Sequence, residues 1–276
     1  MPINLSINLP INLPMPLQCK KLHFSFDKKP LFSNINLSFE KGEFVGLIGP
    51  NGAGKSTLLQ LLLGLLKTQS GEVLLQDIHI DKLKRREIAK QLAFVPQSIE
   101  LPFAFTVQQL VAMGRNPYLG AFELEKPEDK KLIEQAMLQT DILHLQQRHV
   151  NTLSGGEKQR VIIARALAQQ SPTILLDEPI ASLDICHQLT TLQLIQSLTH
   201  SGKTAITALH DLNLAARYCD RLILIGKQQD GSTGIISDGS PAQVLNAENL
   251  KNHFSISADI CIENNKTYLA NILSLL

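Results

Sequence analysis

Gly49-Pro50-Asn51-Gly52-Ala53-Gly54-Lys55-Ser56-Thr57 fits the phosphate-binding pattern G-x-x-x-x-G-K-[ST]. Ahead of it runs the apolar segment Phe44-Val45-Gly46-Leu47-Ile48, the length of a buried strand. Behind it, Leu58 to Leu66 is leucine-rich on nearly every face, which suits a helix buried in an α/β core. Strand, glycine loop and helix in that order are the context the pattern requires. Glycines let main-chain N–H groups turn inward around phosphate oxygens, where a Cβ would obstruct them. The helix N-terminus adds unpaired donors and the positive end of its dipole. Lys55 is expected to reach the β- and γ-phosphates, and the Ser56 hydroxyl to ligate Mg²⁺. A glycine turn before an ordinary helix is the competing reading; Lys-Ser at the right offset after a strand disfavours it. The loop by itself says only that a nucleotide binds.

Length and composition narrow the rest. A chain of 276 residues can form one large α/β domain or two modest ones, and 44% hydrophobic residues is ordinary for a globular protein. The net charge of +1 gives no sign of nucleic acid held by bulk charge. Cys19, Cys186, Cys219 and Cys261 lie far apart with no CxxC pair, so they read as reduced thiols. Cys186-His187 is no nucleophile pair, because adjacent helix residues do not face each other. No run approaches the length of a membrane-spanning helix without charge or proline. The first 18 residues are uncharged and repeat Ile-Asn-Leu-Pro, with prolines at 2, 10, 14 and 16. They lack the charged start and unbroken apolar stretch of a signal peptide, so residues 1–18 are expected to be a disordered or loosely extended tail. Met15 is an alternative start.

Between Leu22 and Phe39 apolar and polar residues alternate on either side of the turn Asp27-Lys28-Lys29-Pro30, which predicts an antiparallel β layer ahead of the nucleotide core. Phe26 is its candidate for stacking on a base, with a plain core role as the alternative. After the loop helix come a strand at Glu72–Leu75, a basic run at Lys82–Arg86 that reads as a solvated helix face, and a short strand ending at Pro96-Gln97. Helical signals then take over. Thr106 and Gln109 form a capping box whose helix is expected to stop at Gly114, read as a C′ glycine. Pro127-Glu128-Asp129 opens a second helix, and Asp141–Gln147 suggests another. A helical insertion is therefore expected over about residues 98–152.

Leu153-Ser154-Gly155-Gly156-Glu157-Lys158-Gln159-Arg160 holds a second capping box, Ser154 with Glu157. Two glycines in a first helical turn cost up to about 1 kcal/mol each. Capping does not need them; close approach of a phosphate to bare N–H groups does. Pro172-Thr173-Ile174-Leu175-Leu176-Asp177-Glu178-Pro179 reads as an apolar strand ending in two carboxylates, an arrangement that calls for a cation or a catalytic task. Asp177 suits the Mg²⁺ shell, and Glu178 suits polarising an attacking water. Thr204–Leu209 makes another core strand, and His210 just past its end lies where open α/β sheets bind ligands. Late strands are expected at Leu222–Ile225 and Gly234–Ile236, with a helical piece beyond Pro241 and no usable motif after it.

Taken together, from about Leu22 to Asn246, the chain resembles the nucleotide-binding subunits of ABC transporters. Gly49–Thr57 is similar to the Walker A loop, Gln97 to the Q-loop glutamine, and Leu153–Arg160 to the LSGGQ-type signature with Glu157 in place of Gln. Ile174–Glu178 resembles Walker B, Ser182–Asp184 the D-loop, and His210 the switch histidine; Ile180 stands where Thr is commoner. The resemblance implies an α/β fold: a RecA-like P-loop NTPase core with a mainly parallel sheet, an N-terminal antiparallel β layer and an inserted helical subdomain. It implies an ATPase domain over residues 19–250 and leaves 251–276 as a C-terminal extension. It implies ATP with Mg²⁺ as cofactors and Phe26 stacked on adenine. Gly49, Pro50, Asn51, Gly52, Ala53, Gly54, Lys55, Ser56 and Thr57 would bind the phosphates, with Ser154, Gly155 and Gly156 covering them from a second copy in a homodimer. Ser56, Asp177 and Gln97 would hold the metal, and Glu178, His210, Gln97 and Lys55 would serve hydrolysis. The implied partners are integral-membrane permease subunits and, indirectly, a periplasmic or surface substrate-binding protein, with the ATPase peripheral on the cytoplasmic face of the membrane.

Two segments resemble one branch, the importers of ferric siderophores, haem and cobalamin: Phe105-Thr106-Val107 followed by Met113-Gly114-Arg115-Asn116-Pro117-Tyr118-Leu119-Gly120, and His210 to Arg221. The rival expectations are an importer ATPase for free zinc or manganese, a soluble ABC ATPase, and a nucleotide kinase, which should lack the signature helix.

Overall fold

The computed structural model describes residues 17–27, 29–98, 103–120, 123–181, 183–228, 231–263 and 266–275. The chain runs β1 (Leu17–Phe26), β2 (Lys29–Phe39), β3 (Phe44–Ile48), α1 (Lys55–Leu62), β4 (Ser70–Leu75), β5 (Ile78–His79), α2 (Arg85–Gln91) and β6 (Leu92–Val95). Then come α3 (Val107–Ala112), α4 (Pro127–Gln139), α5 (Gly155–Ala168), β7 (Thr173–Asp177), α6 (Ile185–His200), β8 (Thr204–Ala208) and α7 (Leu212–Tyr218). It closes with β9 (Arg221–Lys227), β10 (Thr233–Gly239), α8 (Pro241–Val244), α9 (Ala247–Phe254), β11 (Ile256–Glu263) and β12 (Lys266–Ser274).

Ten strands share one sheet in the order β5-β4-β1-β2-β10-β9-β3-β8-β7-β6. The half from β9 to β6 is parallel, and the β5-β4-β1-β2 wing is antiparallel. The wing joins the core through a parallel bridge between Phe32 and Thr233. The expected antiparallel layer is thus the continuation of the nucleotide sheet.

Alternation along the parallel strands sends successive side chains to opposite faces. Phe44, Ile48, Ile174, Leu176, Leu222 and Leu224 enter a core with α3, α4, α5 and α6. Val45, Leu47, Leu175, Ile223 and Ile225 enter a second core with α1 and the antiparallel wing. Both faces are covered, which is why these strands read as unbroken apolar runs. Every loop that leaves the C-terminal edge of this sheet is consequently pinned at its root.

Several expectations shift. Met1 to Pro16 of the expected tail lie outside the described residues, but Leu17 and Gln18 belong to β1, and Leu17 is fully buried between Phe39 and Leu75. The loop helix ends at Leu62 rather than Leu66, and Leu65 is exposed. Asp141–Gln147 yields only a short 3-10 turn at Leu143–Leu145. Gly114 is not a C′ glycine: it lies inside a 3-10 turn, Met113–Arg115, and has no positive φ. A Cβ there would collide with the Arg165 carbonyl oxygen, so glycine is needed for close approach to α5. The buried Arg115 next to it bonds Asp129 (2.8 Å) and the Ala168 carbonyl (2.8 Å) and stacks on Tyr118 at 4.0 Å, tying α4 and α5 together. The segment past Asn246 folds as α9 and the β11–β12 hairpin, so the proposed boundary at residue 250 falls inside a helix.

Candidate functional site

Four parallel strands deliver the candidate residues to one edge of the sheet. The loop Gly49–Gly54 follows β3, Gln97 follows β6, Glu178 follows Asp177 at the end of β7, and His210 follows β8. This is the carboxyl edge, where open α/β sheets hold their ligands. Phe26, Asn51, Gly52, Ala53, Gly54, Lys55, Ser56, Thr57, Gln97, Glu178 and His210 line one cleft of about 520 Å³. Leu31 joins them; sequence reasoning missed it, and the signal was its place just across the Asp27–Pro30 turn from Phe26. A larger groove, about 880 Å³, lies between β9, β10 and α9 and carries no motif residue.

Gly54 caps α1 at φ +88°, a left-handed conformation that disfavours any side chain, and a Cβ there would press on the Phe32 ring. Lys55 is buried, and its ammonium donates to the carbonyls of Gly49 (2.8 Å) and Pro50 (3.3 Å). Burial lowers its pKa, opposed by the nearby carboxylates of Glu178 and Asp177. A buried ammonium held by neutral carbonyls is a ready partner for an incoming anion.

The Ser56 hydroxyl donates to Asp177 at 2.8 Å. Burial raises the Asp177 pKa, the Ser56 hydrogen bond lowers it, and Glu178 raises it further. A hydroxyl and a buried carboxylate side by side are hard oxygen donors of the kind Mg²⁺ takes, usually from one or two protein groups with the rest from water and phosphate. The residues therefore fit that ion.

Glu178 sits at φ +49°, outside the ordinary range for a residue with a side chain. Its carboxylate accepts from the Gln97 amide at 2.6 Å and contacts the His210 ring nitrogen Nε2 on its other oxygen. The structure thus gathers Gln97 and His210 on Glu178, while Ser56 and Asp177 form a separate pair. Phe26 is half exposed (51%), standing edge-to-face on Phe24 at 4.8 Å, with its ring available to the cleft.

Ser154, Gly155 and Gly156 are not among the residues lining this cleft. Ser154 caps α5: its hydroxyl accepts from the Glu157 N–H (3.3 Å), and its own N–H donates to the Glu157 carboxylate (2.8 Å). The Ser154 N–H, together with the Ser154 hydroxyl donating to the same carboxylate at 2.8 Å, holds Glu157 below the usual carboxylate range. A Cβ on Gly156 would meet only ordinary contacts with Leu183 and His187, so packing does not demand glycine there. Ser182 lies outside the described residues; Asp184 caps α6 and bonds the His187 ring at 2.7 Å.

Residues 32–181 match the model of the ABC transporter family. The chain belongs to that family. The cassette is 42% identical over 245 residues to a hemin import ATP-binding protein of Pseudomonas fluorescens (strain Pf0-1), covering 87% of this chain and 92% of the relative. It is 37% identical over 245 residues to an iron(3+)-hydroxamate import ATP-binding protein of Bacillus subtilis (strain 168), covering 88% and 89%. Among solved structures, the cassette superposes with a TM-score of 0.79 on a chain described as part of a metal-chelate type ABC transporter in an inward-facing conformation. The sequence identity is 28%, and the match covers 95% of this chain and 98% of that one. Like its family, the cassette is an ATPase. Among the described residues, no helix is long and apolar enough to cross a membrane.

Proposed function

We propose that this cassette powers an importer of a chelated metal compound: an iron–siderophore, haem or cobalamin. The observation that carries the reading is that relatives matched over nearly their whole length import hemin and iron(3+)-hydroxamate, two chelated forms of iron. The cassette couples ATP binding and hydrolysis to passage through a separate integral-membrane permease and stays peripheral on the cytoplasmic face. A substrate-binding protein outside the membrane presents the cargo.

In this reading ATP enters the cleft with its adenine on Phe26 and its phosphates on the Gly49–Thr57 loop. Lys55 exchanges the carbonyls of Gly49 and Pro50 for phosphate oxygens, a stronger, charge-assisted pairing. Ser56, Asp177 and Gln97 would hold Mg²⁺, which would supply charge neutralisation on the phosphates. Glu178 takes the proton of the attacking water once Gln97 and His210 release its carboxylate oxygens; Gln97 would then be free as a metal ligand and His210 free to meet the γ-phosphate. Ser154, Gly155 and Gly156 act on the site of a second copy. These three residues are not among those lining this chain's own cleft, and the absence of any packing need for Gly156 supports a ligand at the start of α5. The working unit is then a head-to-tail homodimer.

Uptake measurements test the cargo. A strain lacking this subunit should fail to take up a ferric siderophore, haem or cobalamin. Normal uptake of all three with impaired uptake of free zinc or manganese would reassign the cassette to free-metal import.

A further inference from the structure

The motif segment His210-Asp211-Leu212-Asn213 contains one polar residue to which nucleotide chemistry gives no task. Asn213 lies in the first turn of α7, away from the cleft lining. Its carboxamide acts as an extra strand residue towards the C-terminal hairpin: Oδ1 accepts from the Leu269 N–H at 2.7 Å, and Nδ2 donates to the Leu269 carbonyl at 3.2 Å. Leu269 is buried in the same core as Ala215 and Ala216 of α7. Both main-chain groups of a buried residue are therefore satisfied by one side chain, and a carboxamide supplies the donor and the acceptor together.

His210 hangs between two fixed points. On one side Leu209 is buried at the end of β8, with its N–H on the Leu47 carbonyl at 3.0 Å. On the other side Asp211 caps α7, accepting from the Leu214 N–H at 2.9 Å. The sheet end is rigid. The helix has only seven residues, too short to hold itself in water, so its placement depends on what it is tied to. The hairpin shares no strand with the main sheet.

We infer that Asn213 is a positioning residue for ATP hydrolysis: by fastening α7 to β12 it holds His210 against Glu178, which makes the C-terminal hairpin a working part of the ATPase. The inference rests on the roles proposed above for His210 and Glu178. Lys55, Ser56 and Phe26 sit on other elements, so a loosened α7 acts on turnover and leaves ATP capture alone.

The test uses the full chain with three substitutions. Asn213→Ala should lower kcat about tenfold, the scale on which small misplacements of catalytic groups act, with KM for ATP unchanged. Asn213→Asp keeps the acceptor of the shorter bond and should recover most of the turnover. In protein labelled with [15N]histidine, the His210 imidazole signal, assigned by its loss in His210→Ala, should shift in Asn213→Ala while that of His23, out on β1, stays fixed. Wild-type kcat in Asn213→Ala, where His210→Ala abolishes turnover, overturns the inference. So does a loss shared equally by kcat and KM with no movement of the His210 signal. Full turnover in His210→Ala overturns the proposed role of His210 itself, and the inference with it.

Discussion

Replacing the Glu178 carboxylate with a group of nearly the same shape separates binding from chemistry. Glu178→Gln should bind ATP through Lys55 and the loop as before, while hydrolysis falls about 10²–10⁴-fold, the usual size of a general-base contribution. Phosphate release under saturating ATP, set beside nucleotide titration, measures both. Turnover near that of the wild type would remove Glu178 as the base and leave His210 as the next residue to vary. The left-handed backbone at Glu178 is a cost on the order of 1 kcal/mol that the ordered β7 edge absorbs, and it turns the side chain into the cleft. None of this strain was legible beforehand. The pairing of Asp177 with Ser56 was legible from a strand ending in two acids, but the hydrogen bond of Gln97 to Glu178 rather than to that pair depends on how the left-handed backbone turns the Glu178 side chain. Gly114 taught the same lesson from the other side. Its place after a helical run suggested a cap, whereas its cause is a carbonyl of α5, fifty-odd residues away, that no local pattern encodes.

Among the elements, the inserted helices are fastened by Arg115 and Asp129, whose side chains are 7% and 8% exposed. The Arg115 hydrogen bond holds the Asp129 pKa below its ordinary 3.8, aided by the Lys126 N–H. A folded-state pKa that is depressed gives stability present above the unfolded value and lost as pH falls through the folded one. Asp129→Asn should therefore cost on the order of 3 kcal/mol at neutral pH, the scale of stranding one member of a buried pair. Denaturant midpoints of the two proteins should keep that gap from pH 7 to 5 and converge below the ordinary carboxylate value. A gap independent of pH would mean that the charge of Asp129 carries nothing. Elements with local signals were legible: the capping boxes at Thr106 and Ser154 start α3 and α5 where the sequence placed them. The β11–β12 hairpin was not. Ile262, Ile272 and Leu273 are exposed on it, so apolar residues do not alternate cleanly with polar ones.

For the whole molecule, the proposed homodimer makes ATP a reagent of assembly. In Glu178→Gln the nucleotide persists, and one negative charge fewer stands beside the triphosphate, so the variant should elute as a dimer with ATP and as a monomer without it. Lys55→Ala should remain monomeric under both conditions. Light scattering after size exclusion distinguishes these outcomes, and a Glu178→Gln protein that stays monomeric with bound ATP would count against the composite site.

The two ends of the fold also differ in how they resist being pulled. β1 is bonded along both edges, to β2 and to β4, from Leu17 onward. A tug on the leading end loads two ladders in shear at once before anything gives. Among the described residues β12 pairs only with β11, and beyond that pairing it is tied to α7 through Asn213. An unfolding machine that grips the trailing end meets one ladder, on a unit separate from the main sheet. The protein is therefore mechanically one-sided: threading from the tail would strip the hairpin early, while threading from the head must break the antiparallel wing first.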